Sequence, residues 1–565
     1  MVQPPQIALN TLYYGDNLSI LREHIPNESV DLIYLDPPFN SNASYNVLFK
    51  APEGHQSKAQ IEAFDDTWHW TDAAEVAFDQ VVKNKFGNSD ISTLIMALRQ
   101  ILKTNDMMAY LTMMAVRLLE LHRALKPTGT LYLHCDPTAS HYLKILLDAV
   151  FGKTQFLSEI IWKRTSSHSS ARRWGPVHDT ILVYAKTDGF GWNQVFEAYD
   201  DQYLERFYHN EDKNGRFRIG DLTGAGKRSG DSGKSWRGID PTESGRHWAV
   251  PTAAIARAGI NGDFESLNPQ GKLDRLDELG LIYWPPKGRI PQFKRYLEVD
   301  RGVSIQDVIT DIKAISSQAK ERLGYPTQKP VALLERILAA SSNPGDVVLD
   351  PFCGCGTTLH AAAKLDRKWI GIDITHLAIA LIRRRLNEAF PEMKFNTIGV
   401  PNDADGARAL AKADKYEFQK WALSMLDAQP FKGGKKGGDG GVDGYLYFKP
   451  DGKTTEKAIV SVKGGQSLNP AMVKDLIVTV DQEGAKMGIL LTLEPPTKGM
   501  VAQAAAAGFY KPEGDVNVHI SYPKIQIVTI EQLFQPTSPL KMPWQDTSMF
   551  KKARREPAHQ PQLEL

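Results

Sequence analysis

VDLIYLDPPFNSN at residues 30–42 and GDVVLDPFCGCGTT at residues 345–358 are the two stretches that decide the fold. In each, an apolar run ends in Leu-Asp-Pro and reaches a phenylalanine within two residues. Apolar runs bounded by turn formers read as strands. The chain thus stops two strands, far apart in sequence, in nearly the same way.

Around these strands the pattern alternates. LYYGDN (12–17) and LSILREHI (18–25) read as a strand end followed by a helix leading to the first stop. Residues 74–125 are mostly helical in pattern, and MMAYLTMMAVRLLELHRAL (107–125) has an apolar face whose methionines suit a core. KPTGTLYLHCDP (126–137) predicts a turn, a strand and a third Asp-Pro stop, and HYLKILLDAVFG (141–152) a helix closed by glycine. From about 163 to 318 periodicity weakens and Gly, Ser, Arg, Trp and Pro accumulate. Regular texture returns at 327–375 as helix, strand, glycine turn, helix and strand. Such alternation predicts an open, mostly parallel α/β sheet. A break falls at VPNDADGARALAK (400–412), and YEFQKWALSML (416–426) opens a separate α/β segment running to about 536. The polar tail MPWQDTSMFKKARREPAHQPQLEL (542–565) reads as an arm or disordered end.

Composition narrows the classes. A chain of 565 residues exceeds one core, so two to four domains are expected. No apolar run approaches the roughly 18 residues of a membrane span. MVQPPQIALN has neither the basic nor the apolar part of a signal peptide, so the expected compartment is cytoplasmic. The three cysteines, Cys135, Cys353 and Cys355, suit a reducing environment rather than a disulfide framework. Cys353 and Cys355 lack a second Cys/His pair at zinc spacing. The net charge of +1 is uninformative, but residues 213–237 carry seven Lys/Arg against two Asp amid Gly and Ser. Charge alone leaves that segment either a solvated loop or a phosphate-contacting one.

The glycine turn carries the first chemical signal. Gly354 and Gly356 follow a strand and precede LHAAAKL, where glycine lets a ligand approach the backbone and a helix N-terminus offers free N–H groups. KWIGIDIT (368–375) then supplies an acid, Asp373, at the next strand end, a position suited to ribose hydroxyls. The third glycine of a dinucleotide fingerprint is missing, and Asp350 sits where a pyrophosphate would lie. The pair fits a nucleoside bearing a cationic sulfonium better than NAD. SGDSGKS (229–235) mimics the end of a P-loop, but Arg228 stands where that pattern needs glycine and no strand precedes it. In Asp36-Pro37-Pro38-Phe39, two prolines fix the turn and its carbonyls. Its carboxylate and carbonyls can accept from an exocyclic amine while the ring stacks on a base. Alone, the tetrapeptide reads first as an ordinary strand-ending turn.

Together, Asp-Pro-Pro-Phe followed by Asp-Pro-Phe-x-Gly-x-Gly resembles the β group of DNA amino-methyltransferases. These use S-adenosylmethionine to methylate an exocyclic nitrogen of a base and include modification subunits of restriction systems. The resemblance spans roughly residues 11–400. It implies a Rossmann-like α/β methyltransferase sheet, with residues 1–165 as the catalytic half, 166–318 as an inserted target-recognition region and 319–400 as the cofactor half. It implies direct methyl transfer to a base flipped out of the duplex, with Asp36, Pro37, Pro38 and Phe39 catalytic. YYGDN places Asp16 on the cofactor adenine, and GYPTQKP places Thr327 and Lys329 near the methionine carboxylate. Asp350, Phe352, Gly354, Gly356 and Thr357 would line the cofactor, with Asp373 on the ribose. EIIWKRTSSHSSARRWGPVHDTILVYAK (159–186) resembles the strand pair beside the target base. Arg164, His168 and Arg172 become DNA contacts there, with Trp162 either a contact or core, and Lys227, Arg228, Lys234 and Arg237 join them from the basic loop. Aspartate at the first motif position favours adenine N6 over cytosine N4.

Residues 411–536 lie outside that core. GGDGGVDGYLYF (437–448) and AIVSVKGG (458–465) resemble the Mrr-type restriction endonuclease fold of the PD-(D/E)xK group, another α/β domain. The resemblance implies Asp443 as a Mg2+ ligand, Lys463 activating water and Glu417 as a helix acid. Ser461 departs from the usual Glu, Asp or Gln. Either Glu417 compensates, or the domain is a DNA-binding or partner-docking relic. Residues 537–565 form the polar tail. Expected partners are double-stranded DNA, a second copy of the chain in a homodimer, and restriction or phage-defence proteins; no membrane is expected. Rival readings are a methyltransferase for RNA or a glutamine side chain, and a sensor without catalysis. The long recognition segment opposes the first, and the intact Asp36 and Gly354 oppose the second.

Overall fold

The computed structural model describes residues 7–38, 44–50, 56–65, 70–83, 87–165, 174–251, 263–286, 290–297, 302–316, 319–323, 325, 327–431, 441–450, 454–512, 521–535, 537–543 and 556. The main sheet has nine strands: β1 (Thr11–Tyr14), β2 (Val30–Leu35), β3 (Leu125–Cys135), β4 (Phe156–Lys163), β5 (His178–Ala185), β6 (Val308–Ile309), β7 (Val347–Asp350), β8 (Lys368–Asp373) and β9 (Asn396–Ile398). They are ordered β6-β4-β5-β3-β2-β7-β8-β1-β9. β5 runs against both its neighbours, β3 and β4, and every other pairing is parallel.

Successive residues of a strand face opposite sides, and here both sides are covered. Ile33, Leu35 and Leu349 enter one core with Leu21, Met108, Met114 and Leu143 from helices α1 (Asn17–His24), α2 (Asp106–Ala124) and α3 (Ser140–Phe151). Leu32, Tyr34 and Val348 enter the other with Leu334, Leu359 and Ile379 from α4 (Val331–Ser341), α5 (Thr357–Lys364) and α6 (His376–Ala389). That double burial is why the two opening stretches lack a polar alternation. The methionines of α2 are core, as their spacing predicts.

Residues Gln194–Gln306 form a separate compact unit, narrower than the 166–318 expected. β5 and β6 fall inside the expected recognition region yet belong to the main sheet. Inside the unit, Leu222, Trp236, Trp248, Phe264 and Phe293 make a small core.

The C-terminal domain has a five-stranded sheet: β10 (Gln429–Pro430), β11 (Gly444–Phe448), β12 (Glu456–Lys463), β13 (Met487–Thr492) and β14 (Ile525–Thr529), hydrogen-bonded in that order. The supposed break at 400–412 contains helix α7 (Ala404–Ala413), capped by Asp403, whose Ala407 packs in this domain's core beside Phe418 and Trp421 of α8 (Lys415–Ser424). Alanine-rich sequence after an Asp cap is a helix start, a signal masked by the neighbouring Pro and Gly.

Candidate active site and second centre

Because β2, β7, β8 and β1 are parallel neighbours, their C-terminal ends form one rim. On it stand Asp36, Asp350, Asp373 and, two residues beyond β1, Asp16. Pro37 is buried and Pro38 half-buried; Phe39 lies outside the described residues. Asp36 faces Lys329, whose Nζ donates to Oδ2 at 2.5 Å, and both side chains are largely shielded. Lys329, expected near the cofactor's methionine carboxylate, is paired with Asp36. It arrives from a tight segment in which Thr327 has φ 61° and Gln328 bonds Leu323 N and Glu321 O.

The glycine turn is built from backbone bonds. Cys353 N donates to Ile372 O at 3.1 Å and Gly356 N to Cys353 O at 2.6 Å. Gly354 (φ 50°) offers its N–H to Asp373 Oδ2 at 2.9 Å, and a Cβ there would stand 3.4 Å from the Tyr325 ring. Gly356 (φ 72°) caps α5, and a Cβ there would meet Ile382 at 2.9 Å. Both positions therefore require glycine. Asp373 also accepts from Thr375 N and Oγ1. Burial pushes the Asp350 carboxyl up to about 7 and the Asp373 carboxyl up to about 6. Glycine at 354 and 356 lets a ligand approach the turn backbone closely, and a positively charged one would favour the ionised form of the two carboxyls beside it. Phe352 is half-buried against the core.

Two residues expected at the cofactor also have partners within the protein. The Thr357 hydroxyl does not line the turn: it accepts from the buried Arg385 guanidinium at 3.1 Å, which also bonds Cys355 O at 3.0 Å. Asp16 caps α1 by accepting from Ser19 N and pairs with Arg117 Nη2 at 2.8 Å. Arg117 in turn holds Asn17, whose amide donates to Pro351 O at 2.8 Å, lacing the β1 and β7 ends together. Arg117 lies on α2, remote in sequence, so nothing local announced it.

Among the expected DNA contacts, Trp162 is corrected: it is 2% exposed and its Nε1 donates to Ile312 O at 2.7 Å. It lies on a strand facing the second core. Arg164 is half-exposed and pairs with Asp179 at 3.1 Å. His168 and Arg172 lie outside the described residues. Lys227 and Arg228 are exposed, and Lys227 lies close enough to Asp240 to help lower its carboxyl. Lys234 pairs with Asp231 at 2.7 Å and Arg237 pairs with Asp277, so these two cations carry local counter-ions. Beneath Asp36 lies a chain that sequence reading missed: Tyr34 OH to His134 Nδ1 at 2.8 Å, and His134 Nε2 to Asp179 at 3.2 Å. An ionised Asp179 only accepts, so Nε2 carries the proton and Tyr34 is the donor.

In the second domain Asp443 precedes β11 rather than ending a strand, and the antiparallel pairing sets it beside Ser461 near the end of β12. Lys463 ends β12 and lines a cavity of about 490 Å³ together with Lys415, Gln419 and Ser467. The expected triad is not assembled. Glu417 accepts from Tyr14 OH at 3.1 Å and from Lys420 at 2.8 Å. Gln419 instead reaches Asp443, whose other oxygen takes Val462 N at 2.6 Å and Ser461 Oγ at 3.3 Å. Among the described residues no group of three His, Cys, Asp or Glu side chains could hold a metal.

A parallel sheet with the nucleoside-type glycine turn and a carboxylate-Pro-Pro stop on one rim defines a methyltransferase. Residues 30–384 match the family model described as DNA methylase, and the chain belongs to that family. Residues 410–512 match the model described as restriction endonuclease. The type II methyltransferase M.EcaI of Enterobacter cloacae is 31% identical over 381 residues, 67% of this chain and 70% of that protein. The Mod subunit of the type III restriction-modification enzyme StyLTI of Salmonella typhimurium is 28% identical over 375 residues, 64% of this chain and 50% of its own length. The DNA adenine methyltransferase YhdJ of Escherichia coli is 48% identical over 81 residues, 14% of this chain and 28% of its own. No helix among the described residues is long and apolar enough to cross a membrane.

Proposed function

We propose that this chain methylates the N6 amino group of an adenine flipped out of duplex DNA, within a restriction-modification or phage-defence setting. The observation that carries the reading is the pairing of β2 with β7, Val348 opposite Leu32 and Leu349 opposite Ile33, which turns Asp36 and the glycine turn toward one space. S-adenosylmethionine, when bound, supplies an electrophilic methyl group. Asp350, the N–H groups of the glycine turn, Asp373 and Asp16 would hold it. Asp36 and the Pro37 carbonyl accept the two amine hydrogens, which concentrates lone-pair density on the nitrogen and fixes its approach. The Asp36 carboxylate takes up the proton that the nitrogen sheds once it carries the methyl. Lys329 holds the Asp36 carboxylate in position as an acceptor until the base arrives. Alignment of two reactants already held is worth several kcal/mol of barrier. Aspartate at position 36 and the local likeness to YhdJ support adenine over cytosine. Lys227 and Arg228 supply phosphate contacts from the Gln194–Gln306 unit.

The test is transfer of labelled methyl groups to plasmid DNA, followed by methylation-aware sequencing. Asp36→Ala should lose transfer while still binding cofactor; continued methylation would remove Asp36 from the base site, and modified cytosine would overturn the adenine assignment.

For the second domain, the donor set favours DNA binding over cleavage. Its described centre offers one carboxylate, Asp443, already satisfied by Gln419, Ser461 and Val462. That set does not fit a Mg2+ site, which draws on several oxygen ligands. Supercoiled DNA incubated with Mg2+ should remain intact; nicking that Lys463→Ala abolishes would restore the nuclease reading.

A further inference from the structure

We infer that Glu417 of the restriction-endonuclease-like domain is a positioning residue of the methyltransferase, holding the β1 end of the cofactor rim through Tyr14. The inference rests on the reading that Asp16, Asp350 and Asp373 surround the cofactor.

Tyr14 is the last residue of β1, in register with Asp373 of β8, and Gly15 N donates to Asp373 O at 3.0 Å. Whatever fixes Tyr14 therefore fixes the backbone that leads into Asp16 and lies against Asp373. Two groups fix it. Its ring stacks on His376, centroid to centroid 3.9 Å at 14°, and its hydroxyl donates to Glu417 Oε2 at 3.1 Å. His376 is the first residue of α6, directly after the Asp373–Thr375 turn. It is 4% exposed, and neither ring nitrogen has a hydrogen-bond partner among the described residues. Burial brings it down to about 4, so at neutral pH it is an uncharged plate and its 3.8 Å approach to Glu417 is packing rather than an ion pair. That leaves the Tyr14 hydroxyl as the polar link to Glu417.

Helix geometry explains why Glu417 is available for this. Residues two apart on a helix point to nearly opposite sides. On α8, Glu417 turns to Tyr14 while Gln419 turns to Asp443. Lys420, one turn on, takes the remaining Glu417 oxygen at 2.8 Å. A further contact, Arg384 of α6 with Asp427 just beyond α8 at 3.9 Å, lies along the same seam. The acid that the nuclease resemblance would spend on a metal is thus spent on the methyltransferase, and that pocket is incomplete without the second domain.

Isothermal titration of the full chain with S-adenosylmethionine tests this. Glu417→Ala and Tyr14→Phe should each raise Kd about 5-fold or more, the lower end of typical coupling between sites. The double variant should be no worse than either single one. Glu417→Gln, which keeps an acceptor oxygen, should bind nearly as the native chain, separating lost positioning from general damage. Asp373→Ala is the control on the pocket itself: if it leaves Kd unmoved, the cofactor assignment fails. If Asp373→Ala weakens binding while Glu417→Ala does not, the inference about Glu417 is overturned. It is overturned equally if Glu417→Ala leaves Kd unchanged and abolishes Mg2+-dependent nicking.

Discussion

Asp350→Asn should stabilise the cofactor-free protein, and the gain should depend on pH in a defined way. Asp350 is 3% exposed, and burial lifts its carboxyl from the ordinary 3.8 to about 7. Below the ordinary value both folded and unfolded chains carry the proton, so the charge costs nothing. Between about 4 and 7 the unfolded chain releases it while the folded chain keeps it, so native stability falls as pH rises. Above about 7 the folded carboxylate is ionised, and the full cost is present. Roughly three pH units at about 1.4 kcal/mol each give an upper estimate of about 4 kcal/mol. Asparagine keeps an oxygen to accept from Phe352 N, the 3.1 Å bond that Asp350 Oδ1 makes, and has no charge to bury. Native-state hydrogen exchange, read at the Val347–Asp350 strand in both proteins from about pH 4.5 to about pH 8, isolates this region from the second domain. The variant should lead the native chain least at the acid end, by about 1 kcal/mol, and increasingly up to neutrality, then hold a constant lead. Asp373, raised to about 6, leaves a residual slope in both proteins. A lead that is the same at every pH, or a variant less stable at about pH 8, would refute the claim that a buried charge is being tolerated for function.

Trp162→Phe should cost about 1–2 kcal/mol, the loss of a buried bond to Ile312 O, and leave DNA affinity unchanged in a filter-binding titration. Lys227→Ala and Arg228→Ala should each weaken DNA binding for any sequence and lower the salt slope by about 1. Lys234→Ala and Arg237→Ala should do less, because each removes a cation already neutralised by Asp231 or Asp277.

What the sequence made legible is whatever depends on neighbours along the chain. Strand stops, the glycine turn and the alternation of helices and strands are local. The order of motifs brought Asp36, Asp350 and Asp373 onto one rim because parallel strands have no other way to lie. Direction of a side chain is not local in the same sense. Trp162 reads as a DNA contact or as core because it stands two residues from Arg164 in a segment with that resemblance; its ring entered the core, while Arg164, just past the strand end, stayed half-exposed. Arg117 and Arg385, which consume Asp16 and Thr357, come from helices on opposite sides of the sheet, and only the packed fold reveals them.

Glu417 shows the limit most sharply. A carboxylate at the helix position matched the chemistry that a metal would need, whereas glutamine two residues on did not. Side-chain type favoured Glu417, while helical phase put Gln419 on Asp443. Phase cannot be referenced to a partner until the helix is docked, and α8 is docked against two domains at once. A residue shared between domains therefore obeys both sets of contacts, and a motif drawn from either domain alone assigns it to the wrong centre.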